Sequence, residues 1–422
     1  MSSKAPFGDP QWHTQTDSPN YRESHRALQK EIRAYVDKEI RPFCTEWEQQ
    51  GCIPDKVVAR HAKLGYFAAS AYPIPVDYVQ GIRLPGGVAP EEWDVFHDYI
   101  VIDEMARCGH LGVVWGINGG STVGSPPLNH YGSVEQKKRY LGPLLRGQQR
   151  HCLAVTEPGS GSDVAGIETV AEKSVDGRHW VINGSKKWIT QGQKADYCLT
   201  AARTGMSGAK GLSMFMIPMN AKGVTKRKMT NSGVSSSGST YIEFDDVVVP
   251  SEDLVGGEGE GFAIIMSTFN HERIWMGINA LRLARVSLED AYDHALRRET
   301  WGKKLIENQL LRVKFTEMAL LIETCHSLME NVVQRSRLVS ASDVELGTWA
   351  GILKVQAART LEKVNREAQQ VFGGLGYSRG GAGGRVEQIS RDVRVIVVSG
   401  GSEEILLDMI IKLQRKLAAA RL

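Results

Sequence analysis

The chain lacks any long apolar run, any block of like charges and any closely spaced pair of cysteines. No apolar run approaches the length of a membrane span, so a membrane-crossing segment is not predicted. The 51 Lys and Arg against 48 Asp and Glu leave a net charge of +3, which disfavours nucleic acid or an anionic membrane as the main partner. The six cysteines are scattered without a C-x-x-C pair and indicate neither a zinc site nor a disulfide framework.

Motifs for nucleotides and catalytic metals are also absent from the sequence. The glycine-rich stretches GSGSDVAG, GGEGEGF and GGLGYSRGG lack the G-x-G-x-x-G spacing between a strand and a helix. The chain has no G-x-x-x-x-G-K-[ST] motif, and HERIW lacks the second His of H-E-x-x-H. A nicotinamide-binding domain, a triphosphate site and a metal centre are therefore not predicted.

The pattern of apolar residues changes twice along the chain. Residues 1–21 are predicted to form a flexible N-terminal tail, and apolar residues at three- and four-residue spacing predict helices over 22–150 and over 256–422. Residues 151–255 hold short β-rich runs separated by Gly, Asn and Ser clusters, and KSVDGRHWVING carries a D-G hairpin signal. Because strands and helices do not alternate, the predicted fold class is α+β and mainly α, with a small antiparallel β-barrel or sandwich between two helical domains.

Five segments in a fixed order narrow this interpretation. They are AVTEPGSGSDVAG (154–166), NGSKKWIT (183–190), RRETWGKKLIENQ (297–309), QVFGGLGY (370–377) and RDVRV…SGGSEEI (391–405). Together they resemble, in order and spacing, the acyl-CoA dehydrogenase family over nearly the whole chain beyond the tail. The resemblance implies an N-terminal helical domain, a middle β-domain and a C-terminal four-helix bundle, with FAD between the last two and a homotetramer as the assembly.

The resemblance also implies which residues bind the flavin ring. A flavin that accepts hydride needs hydrogen bonds at its polar edge in a site otherwise closed to water. Trp188 would pack its ring against the flavin, Gly161 would let its loop approach closely, and Ser162 would also contact the carrier arm of the thioester. The implied residues at this edge are Val155, Thr156, Gly161, Ser162, Trp188, Ile189 and Thr190.

A second implied group binds the diphosphate tail of FAD, partly in a neighbouring subunit. Diphosphates are bound by Arg side chains and backbone N–H groups. The implied residues are Arg298, Thr300, Trp301, Gln309, Gln370, Gly373, Gly374, Ser402 and Glu404. The family often has Gln where this chain has Glu404, so that contact departs from the pattern.

Dehydrogenation of a thioester requires one carboxylate beside the substrate Cα to take a proton. In most family members it is a Glu in a Tyr-Glu-Gly-Thr stretch, which here reads Ser399–Ser402. Gly400 cannot accept a proton, although its backbone N–H can donate to the thioester carbonyl. Glu272 resembles the base of isovaleryl-type and long-chain-type members, which lies on the first turn of a bundle helix opposite a small residue. We therefore expect Glu272 to be the base and Arg273 to meet the phosphate end of the acyl carrier.

Other interpretations remain open on sequence alone. Glu403 or Glu404 could serve as the base after a local shift, although acidic residues also suit the first turn of a helix. A chain without a base would be a non-catalytic or macromolecule-binding flavoprotein of the same fold. With Glu272 as the base, the predicted activity is FAD-dependent α,β-dehydrogenation of an acyl-CoA. The alternative substrate is an acyl or aminoacyl group tethered to a carrier protein.

The last three residues, Ala420, Arg421 and Leu422, are similar to the S-K-L peroxisomal address. They are equally explained as the end of a helix rich in helix formers, in which case cytoplasm or mitochondrion is expected. In a peroxisome, oxygen would replace the electron-transferring flavoprotein as electron acceptor, and the enzyme would act as an oxidase.

Overall fold

The computed structural model describes residues 3–14, 18–339 and 343–419. The helices that precede the sheet are α1 (Glu23–Tyr35), α2 (Cys44–Gln50), α3 (Asp55–Lys63), α4 (Tyr66–Ala69), α5 (Val95–Ala106), α6 (Leu111–Val114), α7 (Gly120–Tyr131), α8 (Val134–Gln136) and α9 (Gly142–Leu145). The strands of the middle region are β1 (His151–Ala154), β2 (Val170–Lys173), β3 (His179–Ile189), β4 (Tyr197–Arg203), β5 (Leu212–Pro218), β6 (Val224–Lys228), β7 (Thr240–Pro250) and β8 (Leu254–Val255). They are followed by α10 (Gly261–Arg297), the hairpin of β9 (Glu299–Thr300) and β10 (Lys303–Lys304), α11 (Gln309–Ser336), α12 (Val344–Phe372), α13 (Gly384–Val398) and α14 (Glu403–Ala419).

This order of helices, sheet and helices confirms the predicted fold class. Among the described residues, none of the helices combines the length and the apolar character that a membrane crossing needs. The tripeptide Ala420–Leu422 lies outside the described residues.

Contacts between Cα atoms divide the chain into two compact units that do not follow the linear order. Unit 1 comprises residues 1–46, 94–111 and 270–422, and unit 2 comprises residues 47–93 and 112–269. The predicted N-terminal helical domain is thus shared between the two units.

Unit 2 is built on an eight-stranded mixed sheet. Its strand order is β6-β7-β3-β2-β4-β5-β8, with β1 paired to β4. The predicted D-G hairpin joins β2 to β3, where Lys173 pairs with Trp180. The prediction of an antiparallel barrel or sandwich is corrected at two places, because β1 runs parallel to β4 and β2 meets β4 through one parallel pair. Two long connections separate these strands along the chain, and parallel pairing requires such connections.

Unit 1 contains α1, α5 and the helices from α11 to α14. Buried charges join α1 to α5, since Arg33 Nε donates to Glu104 Oε2 at 3.0 Å. Within the predicted N-terminal tail, the described residues 3–14 contact the rest of this unit. Arg33 donates to Asp9 at 2.8 Å, and the Trp12 ring stacks on Tyr21 with centroids 4.1 Å apart. The sequence did not predict these contacts because a single buried Trp and a single paired Asp produce no periodic pattern.

Candidate active site

Glu272 lies well inside α10 rather than on its first turn, because the helix begins at Gly261. Its side chain is half-buried. Burial raises the pKa of this carboxyl above its usual range, and the positive charges of Arg273, His271 and Lys354 oppose that rise. In the described part of the chain, no hydrogen bond or ion pair reaches the carboxylate. Glu272 is therefore a carboxylate with a raised pKa that the protein does not neutralise with a salt bridge, as a general base requires.

Gly400 lies beside the turn of α10 that follows Glu272. Its φ of +65° is a left-handed conformation that favours glycine. Arg273 Nε donates to the Gly400 carbonyl at 3.0 Å, and a Cβ at Gly400 would come within 2.8 Å of Met276 Sδ. Met276 is four residues after Glu272 and therefore shares its side of the helix. The structure thus brings Gly400 to the part of α10 that carries Glu272.

Arg273 contacts the loop that contains Gly400. The residue is 6% exposed, and its Nε donates to the Gly400 carbonyl at 3.0 Å. The contact of Arg273 with the phosphate end of the substrate stays a prediction.

The two other candidate bases lie on the first turn of α14. Glu403 is paired with Arg359, whose Nε lies 3.0 Å from the carboxylate, and this hydrogen bond lowers the pKa of Glu403. Glu404 is exposed. A carboxylate with a lowered pKa is a weaker base than one with a raised pKa, so Glu272 is better suited than Glu403 to act as a base.

Sequence reasoning missed an ionisable pair next to Glu272, the candidate base. His271 Nε2 lies 2.8 Å from Asp98 Oδ2 of α5. Burial lowers the pKa of His271, but the charges of Asp98 and Glu272 and the hydrogen bond to Asp98 outweigh it and leave the pKa raised. No local pattern in the sequence relates Asp98 to His271, because the two residues meet only through helix packing.

In unit 2, the residues implied at the flavin edge come together at one end of β3. Thr156 Oγ1 donates to the Lys187 carbonyl at 2.6 Å, and the Lys187 N–H donates to the Thr156 carbonyl at 2.9 Å. The pairing of β3 with β7 is irregular between Lys186 and Ile189, and Trp188 has a φ of +62° there. The indole of Trp188 is consequently 49% exposed, although it lies in a strand, while Ile189 is buried.

The loop that contains Gly161 and Ser162 is fixed by its own polar groups. Glu157 accepts hydrogen bonds from the backbone N–H groups of Glu168 and Thr169 and pairs with buried Lys186 at 2.7 Å. Gly161 and Ser162 themselves are exposed. Glu157 therefore holds this loop in place, and the loop presents small residues at its tip.

The residues implied at the diphosphate tail all belong to unit 1, and most are exposed. They form three groups, on the β9–β10 hairpin and the start of α11, at the end of α12, and at the start of α14. No hydrogen bond joins these groups in the described part of the chain. The members are Arg298, Thr300, Trp301 and Gln309 in the first group, Gln370, Gly373 and Gly374 in the second, and Ser402 and Glu404 in the third.

Comparison with known proteins shows which family contains this arrangement. The chain matches the models of the acyl-CoA dehydrogenase N-terminal domain over residues 22–148, middle domain over 152–247 and C-terminal domain over 259–414. The chain belongs to the acyl-CoA dehydrogenase family. Members of this family are oxidoreductases that act on CH–CH bonds.

Individual relatives match the chain over nearly its whole length. It is similar to acyl-CoA dehydrogenase AFT10-1 of Alternaria alternata, with 45% identity over 99% of this chain and 97% of that protein. It is also similar to acyl-CoA dehydrogenase apdG of Emericella nidulans, with 40% identity over 99% and 97%. The structure of butyryl-CoA dehydrogenase from Megasphaera elsdenii superposes with a TM-score of 0.83 at 27% identity and covers 93% of this chain and 98% of that one.

The residues of each unit fit the FAD that the family implies. A Cβ added at Gly161, Gly373 or Gly374 would meet no protein atom within 4 Å, so a bulky group can approach the backbone there. The exposed Trp188 ring offers an aromatic face, and Arg298 offers an exposed guanidinium suited to a phosphate. The aromatic face and the loop tip belong to unit 2, and the guanidinium belongs to unit 1.

Proposed function

We propose that the chain catalyses α,β-dehydrogenation of an acyl-CoA thioester, with Glu272 taking the proton from Cα. The observation that carries the proposal is the half-buried Glu272 carboxylate with its raised pKa beside the Gly400 loop. Bound FAD would supply an acceptor for the β-hydrogen, which leaves as a hydride. The Gly400 N–H would donate to the thioester carbonyl and stabilise the negative charge that develops as the α-proton leaves.

An anaerobic titration tests this function directly. A panel of straight, branched and long acyl-CoAs is added to the flavin-loaded protein, and loss of flavin absorbance is followed for wild type and for Glu272→Gln. We expect at least one acyl-CoA to bleach wild type, and the variant to react about 10²–10⁴-fold more slowly because it lacks a general base.

Glu403→Gln is the matched control, since it removes one carboxylate from α14 at a residue that is not among those implied to bind FAD. It should bleach at the wild-type rate if Glu272 is the base. Equal rates for wild type and Glu272→Gln would overturn the base assignment. A wild type that no acyl-CoA bleaches, but that an acyl group on a carrier protein does, would assign the carrier-tethered substrate instead.

We also propose that the chain forms a homotetramer, of which α11 supplies one contact. Leu310, Val313 and Leu320 share one side of this helix and are 73%, 49% and 63% exposed. Such apolar groups on one surface are typical of an interface. Sedimentation of wild type and Leu320→Lys measures the assembly, and a monomeric wild type would contradict it.

The electron acceptor and the compartment are linked proposals. An electron-transferring flavoprotein suits a mitochondrial or cytoplasmic enzyme, whereas oxygen suits a peroxisomal one addressed by Ala420–Leu422. Mixing the reduced protein with air separates the two acceptors. Rapid reoxidation with peroxide formation supports oxygen, and slow reoxidation without peroxide excludes it.

A further inference from the structure

The loop between α13 and α14 has a backbone that its own sequence does not fix. It reads Ser399, Gly400, Gly401 and Ser402, and the two glycines have φ values of +65° and +100°. Glycine has the largest choice of backbone conformations, so two in succession leave the peptide planes free to rotate unless other groups hold them. The Gly400 N–H is useful to a thioester only if those planes are held.

Two buried cationic side chains hold the peptide planes of this loop. Arg273 Nε donates to the Gly400 carbonyl at 3.0 Å, and Lys354 Nζ donates to the Gly401 carbonyl at 2.8 Å. Lys354 Nζ also donates to the Val397 carbonyl at 2.7 Å, which ties the last turn of α13 to the loop. Lys354 is 1% exposed and Arg273 is 6% exposed. Charges buried to this extent need compensating contacts, and carbonyl oxygens at the C-terminal end of a helix provide them.

We propose that Lys354, together with Arg273, is a positioning residue that orients the Gly400 N–H toward the thioester carbonyl. The Gly400 N–H lies in the peptide plane that joins Ser399 to Gly400. On one side of this plane the Ser399 N–H donates to the Val395 carbonyl at 3.0 Å, and on the other side Arg273 and Lys354 fix the planes of the Gly400 and Gly401 carbonyls. In the described part of the chain, the Gly400 N–H itself donates to no protein acceptor. The inference rests on the proposed function, since it concerns the group that would stabilise the substrate when Glu272 removes the α-proton.

The charge of Lys354 provides a way to separate positioning from simple electrostatics. Burial and the charge of Arg273 lower the pKa of Lys354 to about 8, while Glu403 and Glu272 oppose this shift. Lys354 is therefore protonated at neutral pH and lowers the pKa of Glu272, as Arg273 and His271 also do. Loss of the charge alone would change only the apparent pKa of the base. Loss of positioning would lower the rate at pH values where the base is already deprotonated.

The experiment uses the flavin-loaded protein with a 3-thiaacyl-CoA, which has an acidic α-proton but no β-hydrogen to transfer. Exchange of the α-proton in D2O is followed by NMR against pH, and the Kd is measured by the change in flavin absorbance. Lys354→Met is compared with wild type and with Lys363→Met. Lys363 lies on the same helix and is 49% exposed, with a surface ion pair to Glu367.

We expect Lys354→Met to lower the plateau rate of exchange at least about tenfold, because hydrogen bonds that stabilise an oxyanion contribute about 10²–10³ in rate when they are direct. Lys363→Met should match wild type, and flavin content should be equal in all three. A plateau at the wild-type rate, with only the apparent pKa moved, would overturn the proposal.

A second variant covers the case in which Lys354→Met does not fold. Arg273→Lys keeps the positive charge but cannot reproduce the guanidinium contact with Gly400, so it should also lower the plateau rate. Exchange at the wild-type rate in this variant would likewise overturn the proposal. A wild type that exchanges no α-proton with any thioester would instead contradict the proposed function, and with it this inference.

Discussion

At the scale of single residues, the raised pKa of Glu272 sets the pH at which the proposed reaction begins. The base must be deprotonated to take a proton, and burial raises its pKa above the usual value. Flavin reduction should therefore increase with pH through an apparent pKa above that of a free Glu, about 4.3. Anaerobic stopped-flow measurement of flavin reduction against pH gives this value. His271→Gln removes a positive charge next to the base, so it should move the apparent pKa upward. An apparent pKa at or below that of free Glu would contradict the prediction.

Gly400 provides a second prediction at this scale. Gly400→Ala places a Cβ 2.8 Å from Met276 Sδ on a backbone with φ of +65°. The left-handed conformation costs about 1–2 kcal/mol for a residue with a Cβ, and the contact with Met276 adds to it. Gly177→Ala is the control, because it has the same sign of φ at +68° and a nearest neighbour at 3.9 Å.

Urea unfolding of both variants separates strain from contact. We expect the free energy of unfolding of Gly177→Ala to fall only by the conformational cost. That of Gly400→Ala should fall further, and this variant should also reduce flavin more slowly. Equal stability losses, with unchanged flavin reduction in Gly400→Ala, would show that the close fit against α10 has no role.

Glu272 and Gly400 could be proposed from the sequence because Gly400 stands where most family members have the catalytic Glu. A family motif without its Glu directs attention to a second carboxylate. Lys354 gave a weaker signal, as a single Lys among the buried Leu353, Ala357 and Leu361 of α12. The contact between His271 and Asp98 could not be predicted, since it depends on the packing of α10 against α5.

At the scale of elements, the buried pair of Lys186 and Glu157 links β3 to the loop that carries Gly161. Lys186 is fully buried, and burial lowers its pKa to about 8 although Glu157 opposes this. Lys186→Met leaves the Glu157 charge buried without its cation, which should destabilise the fold by about 3–5 kcal/mol. Thermal or urea unfolding of the flavin-loaded protein measures the loss.

The double variant Lys186→Met with Glu157→Gln completes a thermodynamic cycle. Removing both charges should recover part of the stability that Lys186→Met loses, because no unpaired charge remains in the core. If the two single changes are additive in the double variant, the pair does not couple the strand to the loop.

The elements themselves were largely predictable, but two features of the sheet were not. Alternation and turn residues indicate where strands lie and do not indicate their partners. For this reason the parallel pairing of β1 with β4 was missed. The irregular register around Trp188 also has no local signal, because positive φ at a Trp is an unfavourable choice that the surrounding contacts impose.

At the scale of the whole molecule, buried neutral histidines make stability depend on pH above the range in which carboxylates titrate. Burial lowers the pKa of His61 and of His151 to about 3. An unfolded chain binds these protons near pH 6.5, whereas the folded chain does not. Their stabilising contribution is therefore complete above pH 6.5 and decreases as the pH falls toward 3. Since one pKa unit corresponds to 1.36 kcal/mol, each histidine should lower the free energy of unfolding by about 2 kcal/mol as the pH falls from 6.5 to 5.

Other groups decide whether this effect can be observed. The pKa of His97 is also lowered, which adds to the loss, whereas the raised pKa of His271 acts in the opposite direction. Carboxylates such as Asp94, whose pKa is lowered in the folded state, lose their contribution only near and below the unfolded value of about 3.9. The free energy of unfolding in urea should thus be lower at pH 5 than at pH 7, and His151→Gln should reduce this difference. A difference that stays the same in His151→Gln would mean that this histidine takes up its proton in the folded protein, and the burial of β1 would then not control the acid stability.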